Sequence, residues 1–157
     1  EMKISTKGKY GLRAMIDLAQ YSEQEAVSIS SIAQRQKISE SYLEQLVAKL
    51  KKAGLVVSIR GAAGGYRLAR PAAGISVGDV LRALEGDVRA VICTAQTEEG
   101  CEGEELCVTK YVWQRINESI EKTVDEMMID QLVAESRKAQ EKAKNHDVDY
   151  SRNSCSG

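Results

Sequence analysis

The chain has 157 residues, 43% of them hydrophobic and 4% aromatic with no Phe, and carries a formal net charge of −1. That length holds one ordinary domain plus an accessory element, and the composition supports a core of Leu, Ile, Val, Ala and Met and argues against wholesale disorder. The charge is unevenly placed: residues 1–85 hold 13 Lys and Arg against 8 Asp and Glu, and residues 86–157 hold 9 against 15, so a basic half suited to a polyanion precedes an acidic half.

No apolar run approaches the eighteen or so residues of a membrane span, and the N-terminus shows no signal-peptide core. A soluble cytoplasmic protein with no membrane partner is the expectation. In a reducing compartment, the four cysteines point to free, metal-bound or redox-active thiols and away from a disulfide framework.

Ser5 and Thr6 precede a helical pattern with Leu12, Met15, Ile16 and Ala19 on one face. After a polar break at residues 22–25, Ser30 and Ser31 open a short second helix carrying Ile32 and Ala33. Residues 37–40 form a turn with a capping residue. A third helix runs from about Glu40 to Ala53, with Leu43, Leu46, Val47 and Leu50 at i, i+3, i+4 and i+7. Lys51 and Lys52 occupy its last turn and Gly54 stops it.

Two strands are predicted over residues 55–60 and 66–69, joined by the glycine-rich stretch 61–65, and Pro71 ends the second. Ser76 and Asp79 cap another helix, with Val77, Val80, Leu81 and Leu84 inward. Residues 86–106 lack periodicity and read as an ordered loop. A long helix from Val108 to the mid-120s carries Val112, Ile116, Ile120 and Val124, with Trp113 beside them. A short helix follows from Ile129 to about Ala139, and residues 139–157 read as a frayed polar tail. There are no internal repeats.

The order of elements predicts a mainly α fold with a small β wing. Residues 2–86 form a winged helix-turn-helix, residues 87–107 a cysteine-bearing sensor loop, and residues 108–138 a pair of further helices. Opposite the apolar stripe of the third helix lie Ser41, Glu44, Gln45 and Ala48, near the end that enters a major groove. Gln45 can pair with adenine in bidentate fashion, and Glu44 can accept from cytosine N4. Glu44 also repels phosphates on a wrong sequence, which makes it a selector as well as a reader. Arg60 precedes the glycine-rich tip and Arg67 follows it, and an arginine there suits a narrow minor groove. Gly64 and its neighbours let the backbone approach DNA closely. Ser5, Thr6, Lys7, Lys9 and Tyr10 crowd the start of the first helix, where hydroxyls, lysines and backbone N–H groups suit phosphate.

Each piece has a plainer meaning. Ser41 and Glu44 make a capping box, the arginines a solvated surface, the glycines a hairpin turn. The order and spacing of all of them together favour DNA binding.

At this density the sequence is recognisable. Residues 2–15 (Met-Lys-Ile-Ser-Thr-Lys-Gly-Lys-Tyr-Gly-Leu-Arg-Ala-Met), residues 38–46 (Ile-Ser-Glu-Ser-Tyr-Leu-Glu-Gln-Leu) with residues 54–56, and residues 60–66 (Arg-Gly-Ala-Ala-Gly-Gly-Tyr) resemble the bacterial winged-helix regulators that include IscR, NsrR and CymR. The resemblance is dense over residues 2–86 and looser to about 135. It implies a homodimer on a pseudo-palindromic operator, with the helix at residues 108–125 crossing to the partner. It also implies Ser41, Glu44 and Gln45 at the major groove and Arg60 at the minor groove.

Cys93, Cys101 and Cys107 have seven and five residues between them. Such thiolates can converge on an iron–sulfur cluster, on zinc, or form a redox switch. The resemblance to the IscR branch implies a 2Fe–2S cluster on these three cysteines, with a histidine three residues after the last. Lys110 stands at that place here, and Lys9 stands where the NsrR branch has a ligating aspartate. The fourth ligand is open among Glu102, Glu104, Glu105, a residue of the other subunit, His146 and Cys155. The CymR branch offers a different reading: a cysteine-metabolism repressor without a cluster, controlled by a protein partner. No Ser/His/Asp set, phosphate loop or carboxylate pair supports catalysis, so neither an enzyme nor a small-molecule substrate is expected.

Overall fold

The structure, a computed structural model, describes residues 5–89 and 108–153. Cys93, Cys101, Cys107 and Cys155, together with most of the expected sensor loop, lie outside the described residues. The element order is α1 (Thr6–Tyr21), α2 (Ile29–Gln36), α3 (Glu40–Lys52), β1 (Val56–Ile59), β2 (Gly65–Leu68), α4 (Val77–Glu85), α5 (Val108–Glu126) and α6 (Ile129–Asn153), with a short 3-10 turn at Ala72–Gly74. The mainly α fold with a two-stranded wing is as the sequence predicts.

The core forms where the helical stripes converge. Met15 and Leu18 of α1, Ile32 of α2, Leu43, Leu46 and Leu50 of α3, Val80 of α4 and Ile129 of α6 are buried in one cluster. Burying side chains of this size contributes about 1.5–3 kcal/mol each before chain entropy is charged against them. Polar side chains define the helix starts. Ser28 caps α2 by accepting from the Ser31 N–H at 3.1 Å, which corrects the expected start at Ser30 and Ser31 by one to two residues. Ser76 and Asp79 form the predicted capping box of α4.

The wing is an antiparallel hairpin with register Val56↔Leu68, Val57↔Arg67, Ser58↔Tyr66 and Ile59↔Gly65. β1 begins one residue later and ends one residue earlier than the sequence suggests, and β2 begins and ends one residue earlier. Val27 adds an isolated antiparallel bridge to β2: its N–H and C=O pair with Tyr66 at 2.8 and 2.7 Å.

α5 buries none of its residues. Ile120 and Val124 are half-buried, but Val108, Tyr111, Val112, Trp113 and Ile116 are exposed, Val108 by 80% and Trp113 by 43%. The chain turns back at Met127 and Met128, pinned to the start of α4 by Val77 N–H to Met127 O at 2.8 Å and Ile129 N–H to Ile75 O at 2.9 Å. α6 then runs to Asn153, past the expected end near Ala139. The frayed tail expected from residue 139 is therefore helical through residue 153. Ile129 and Val133 anchor the helix. Beyond them Ala, Glu, Lys, Gln and Arg are strong helix formers with no Gly or Pro to stop them. Polarity on every face had concealed that propensity. Among the described residues no helix is long and apolar enough to cross a membrane.

Candidate nucleic-acid interface

The site is built on a short motif, α2–turn–α3. α2 ends at Lys37, whose φ of 54° and ψ of 48° are left-handed. That conformation costs a residue with a β-carbon about 1–2 kcal/mol and reverses the chain within one residue. Ser39 then caps α3: its Oγ accepts from the Tyr42 N–H at 3.2 Å. The cap is thus Ser39, and the plainer meaning of Ser41 and Glu44 as a capping box does not hold. Ser41, Glu44, Gln45 and Ala48 are all exposed on the face opposite Leu43, Leu46, Val47 and Leu50. Lys49, Lys51 and Lys52 crowd the last turn, complementing the negative end of the helix.

The wing is fastened to this helix. Lys51 Nζ donates to Ser58 Oγ on β1 at 3.0 Å. Arg60 is exposed at the start of the tip, and Arg67 lies on the outward face of the hairpin opposite Val57. Gly61, Ala62 and Ala63 are exposed, but Gly64 is half-buried in the turn. A β-carbon on Gly64 would fall 2.5 Å from the Ile59 carbonyl oxygen, and one on Gly65 would fall 2.5 Å from that of Val27. Gly64 is therefore required by the hairpin turn, and Gly65 by the seating of the hairpin on Val27.

The start of α1 is organised differently from the expectation. Ser5 Oγ caps the helix by accepting from the Lys7 N–H at 3.2 Å, and donates to Glu85 Oε1 at 2.5 Å. The same carboxylate oxygen accepts from the Ser5 N–H at 3.1 Å and the Gly8 N–H at 2.8 Å. Burial opposes the charge on Glu85, but the Ser5 hydroxyl and the two N–H groups outweigh it and hold the carboxyl below its ordinary range. The hydroxyl hydrogen and N–H groups offered to phosphate by the sequence reading are thus committed inside the fold. Thr6, Lys7 and Lys9 are exposed beside them. Tyr10 is half-buried and meets Tyr42 of α3 edge-on, ring centroids 6.0 Å apart at 89°, with the Arg13 guanidinium 5.2 Å from its ring.

Sequence reasoning missed the group that fixes α1 against α2. Asp17 is buried, and its carboxylate accepts from Arg35 Nε at 2.9 Å, Arg35 Nη2 at 2.7 Å and Gln36 Nε2 at 2.9 Å. Arg35 also lies over the Tyr21 ring at 4.2 Å. The hydrogen bonds with Asp17 hold the Arg35 guanidinium above its already high ordinary pKa. Arg13 closes the network by donating to the Gln36 carbonyl at 2.8 Å. The available signal was a charged residue inside the apolar stripe of α1, between Ile16 and Leu18.

Among the described residues no group of three His, Cys, Asp or Glu could hold a metal ion. Lys110 is half-buried on α5, and His146, the single histidine of the chain, is exposed on α6. Cys93, Cys101 and Cys107 lie between α4 and α5 in the chain.

The chain is similar to known proteins over most of its length. The family described as Rrf2, iron-dependent transcriptional regulator, matches residues 4–135. A relative described as the HTH-type transcriptional regulator IscR of Erwinia tasmaniensis is 42% identical over 132 residues, covering 84% of this chain and 79% of that protein. Among solved structures, CymR, the global cysteine regulator of B. subtilis, is 40% identical with a TM-score of 0.71, over 85% of this chain and 98% of that one. IscR of T. potens is 46% identical with a TM-score of 0.70, over 88% and 90%.

Proposed function

Because the chain belongs to the Rrf2 family of transcriptional regulators, we propose that it is a homodimeric DNA-binding regulator whose reading face is Ser41, Glu44 and Gln45 and whose sensor is a 2Fe–2S cluster on Cys93, Cys101 and Cys107. The observation that carries the reading face is the cap: Ser39 satisfies the start of α3, so the three polar side chains beyond it have no work inside the fold. Gln45 and Glu44 then read base edges in the major groove. Arg60 enters the adjoining minor groove, while Lys7 and Lys9 take phosphates in place of Ser5. Tyr10 supports α3 from beneath, and Gly64 shapes the tip.

The exposed stripe of α5 supports a second copy of the chain. Five large apolar side chains on the outward face of one helix are unusual on a monomer surface and suit a self-complementary interface. Two such copies present two reading heads to a pseudo-palindromic site.

The sensor reading rests on the donor set. Three cysteines within residues 93–107 are soft thiolate donors suited to an iron–sulfur cluster. The fourth ligand is open among Glu102, Glu104, Glu105, a residue of the other subunit, His146 and Cys155. When bound, the cluster supplies a site whose occupancy or oxidation state follows iron, oxygen or nitric oxide. The protein's part is to bind DNA differently in the two states, since only differential affinity shifts an equilibrium.

A second reading is favoured by the likeness to CymR of B. subtilis: a cysteine-metabolism repressor without a cluster, governed by a protein partner. Zinc on the same thiols is the simplest variant of the first. One experiment separates them. Protein purified anaerobically is assayed for visible absorbance, iron, sulfide and zinc, and used to select duplexes from a random pool. Enrichment of a palindrome with stoichiometric iron and sulfide supports the proposal. Enrichment without iron after reconstitution selects the cluster-free reading, and failure to retain any duplex rejects DNA binding.

A further inference from the structure

The last turns of α4 hold three groups, two aimed at α1 and one at α5. Leu84 packs on Gly11 of α1, where a β-carbon would fall 2.0 Å from Leu84 Cδ1, so the Leu84 side chain lies directly against the α1 backbone. The next residue, Glu85, fills the N-terminus of α1 through Ser5 and Gly8. One turn earlier, Arg82 donates to both oxygens of Asp125 in the last turn of α5, at 2.6 and 3.0 Å. Asp125 reaches that place only because residue 78 is glycine: a β-carbon there would fall 2.1 Å from Asp125 Oδ1. α4 is nine residues long, about 13 Å, and too short to bend between these attachments.

We propose that α4 is a strut whose two positioning residues, Arg82 and Glu85, transmit the position of α5 to α1 and, through the Tyr10–Tyr42 contact, to the reading helix α3. The proposal rests on the DNA-binding reading and names how that same site is regulated. A shift of α5 drags Arg82 through Asp125. It then moves Glu85 off the first N–H groups of α1, which have no intrahelical acceptor of their own. Gly86 ends α4 at a φ of 84°. The seating of a second copy on the exposed stripe of α5 therefore reaches the head through hydrogen bonds of fixed direction.

The test is hydrogen exchange on the full chain, comparing wild type, Asp125→Asn, Glu85→Gln and the double variant. Asp125→Asn is expected to speed exchange in a peptide covering residues 5–8 about threefold while a peptide covering residues 43–50 keeps its protection. In the Glu85→Gln background, Asp125→Asn adds nothing. Wild-type exchange at residues 5–8 in Asp125→Asn, or simple additivity in the double variant, overturns the strut. Should Glu85→Gln aggregate, Ser5→Ala removes one of the three contacts and is expected to show the same non-additivity at smaller size. On a duplex selected by the wild-type protein, Glu85→Gln weakens binding about fivefold, more than its loss of stability accounts for; a loss of affinity that merely tracks the loss of stability also overturns the proposal. If the wild type retains no duplex, the DNA-binding reading falls, and the exchange data still decide the strut.

Discussion

Asp17 is 2% exposed, yet Arg35 grips both of its carboxylate oxygens from the neighbouring helix, 2.7 Å from one and 2.9 Å from the other. The two residues stand eighteen apart in the chain and set the angle between α1 and α2, on which α3 in turn is laid. Arg35 keeps about a third of its side chain in solvent, so it loses less hydration than its partner.

Removing the carboxylate leaves Arg35 with an unpaired but partly hydrated charge and Gln36 with an unused donor. Asp17→Ala is expected to destabilise the fold by about 3 kcal/mol, the low end for breaking a buried pair. Urea denaturation checks this, and a loss below about 1 kcal/mol would show that the pair is dispensable.

Gly65→Ala forces a β-carbon against the Val27 carbonyl at a φ of 155°. The wing must then detach from Val27, at a cost of about 1–3 kcal/mol in local strain. Operator affinity should fall with it. Retained affinity together with retained stability would show that the rung between Val27 and Tyr66 does not set the wing.

Glu85 carries a pH dependence of known sign. Its carboxyl sits below the ordinary value of 4.5 in the folded state, so the native state favours the charged form more than the unfolded chain does. The stability it adds is fully present above the ordinary value and is lost as pH falls through the lowered one. The difference in unfolding free energy between wild type and Glu85→Gln should stay constant from neutral pH to about 5 and shrink below it. A difference that grows on acidification would reverse the sign and sink the assignment.

Arg60→Ala and Gln45→Ala should fail in different ways. Loss of Arg60 weakens binding to all duplexes, most of all those with A·T-rich flanks, and lowers the slope of log affinity against log salt by about 0.9. Loss of Gln45 costs about 1–3 kcal/mol at a single base pair and leaves the salt slope alone. Competition binding on a panel of point-substituted duplexes distinguishes them. Equal losses across the panel for both variants would contradict the groove assignments.

Much of this is written in the sequence. The period of Leu43, Leu46, Val47 and Leu50 announces α3, and the Ser76–Asp79 spacing announces α4, because both signals are local. The hairpin is legible for the same reason. Three things were not. The choice of Ser28 over Ser30 and Ser31 to open α2 depends on backbone angles, which composition does not show. The length of α6 was concealed because helix propensity and solubility are carried by the same residues. Pairings such as Ser5 with Glu85, eighty residues apart, are products of packing, and no periodicity announces them. The cysteines are the reverse case: conspicuous in sequence and outside the described residues.

The tie between Lys51 and Ser58 makes a single calliper of the reading helix and the wing. In the proposed complex, with one jaw in the major groove and the other over the minor groove, the opening is set before any base is touched. A duplex whose grooves are too wide or too closely spaced is refused on shape alone. Sequence is then sensed twice, once by the side chains of α3 and once by the stiffness of the DNA that must fit between the jaws.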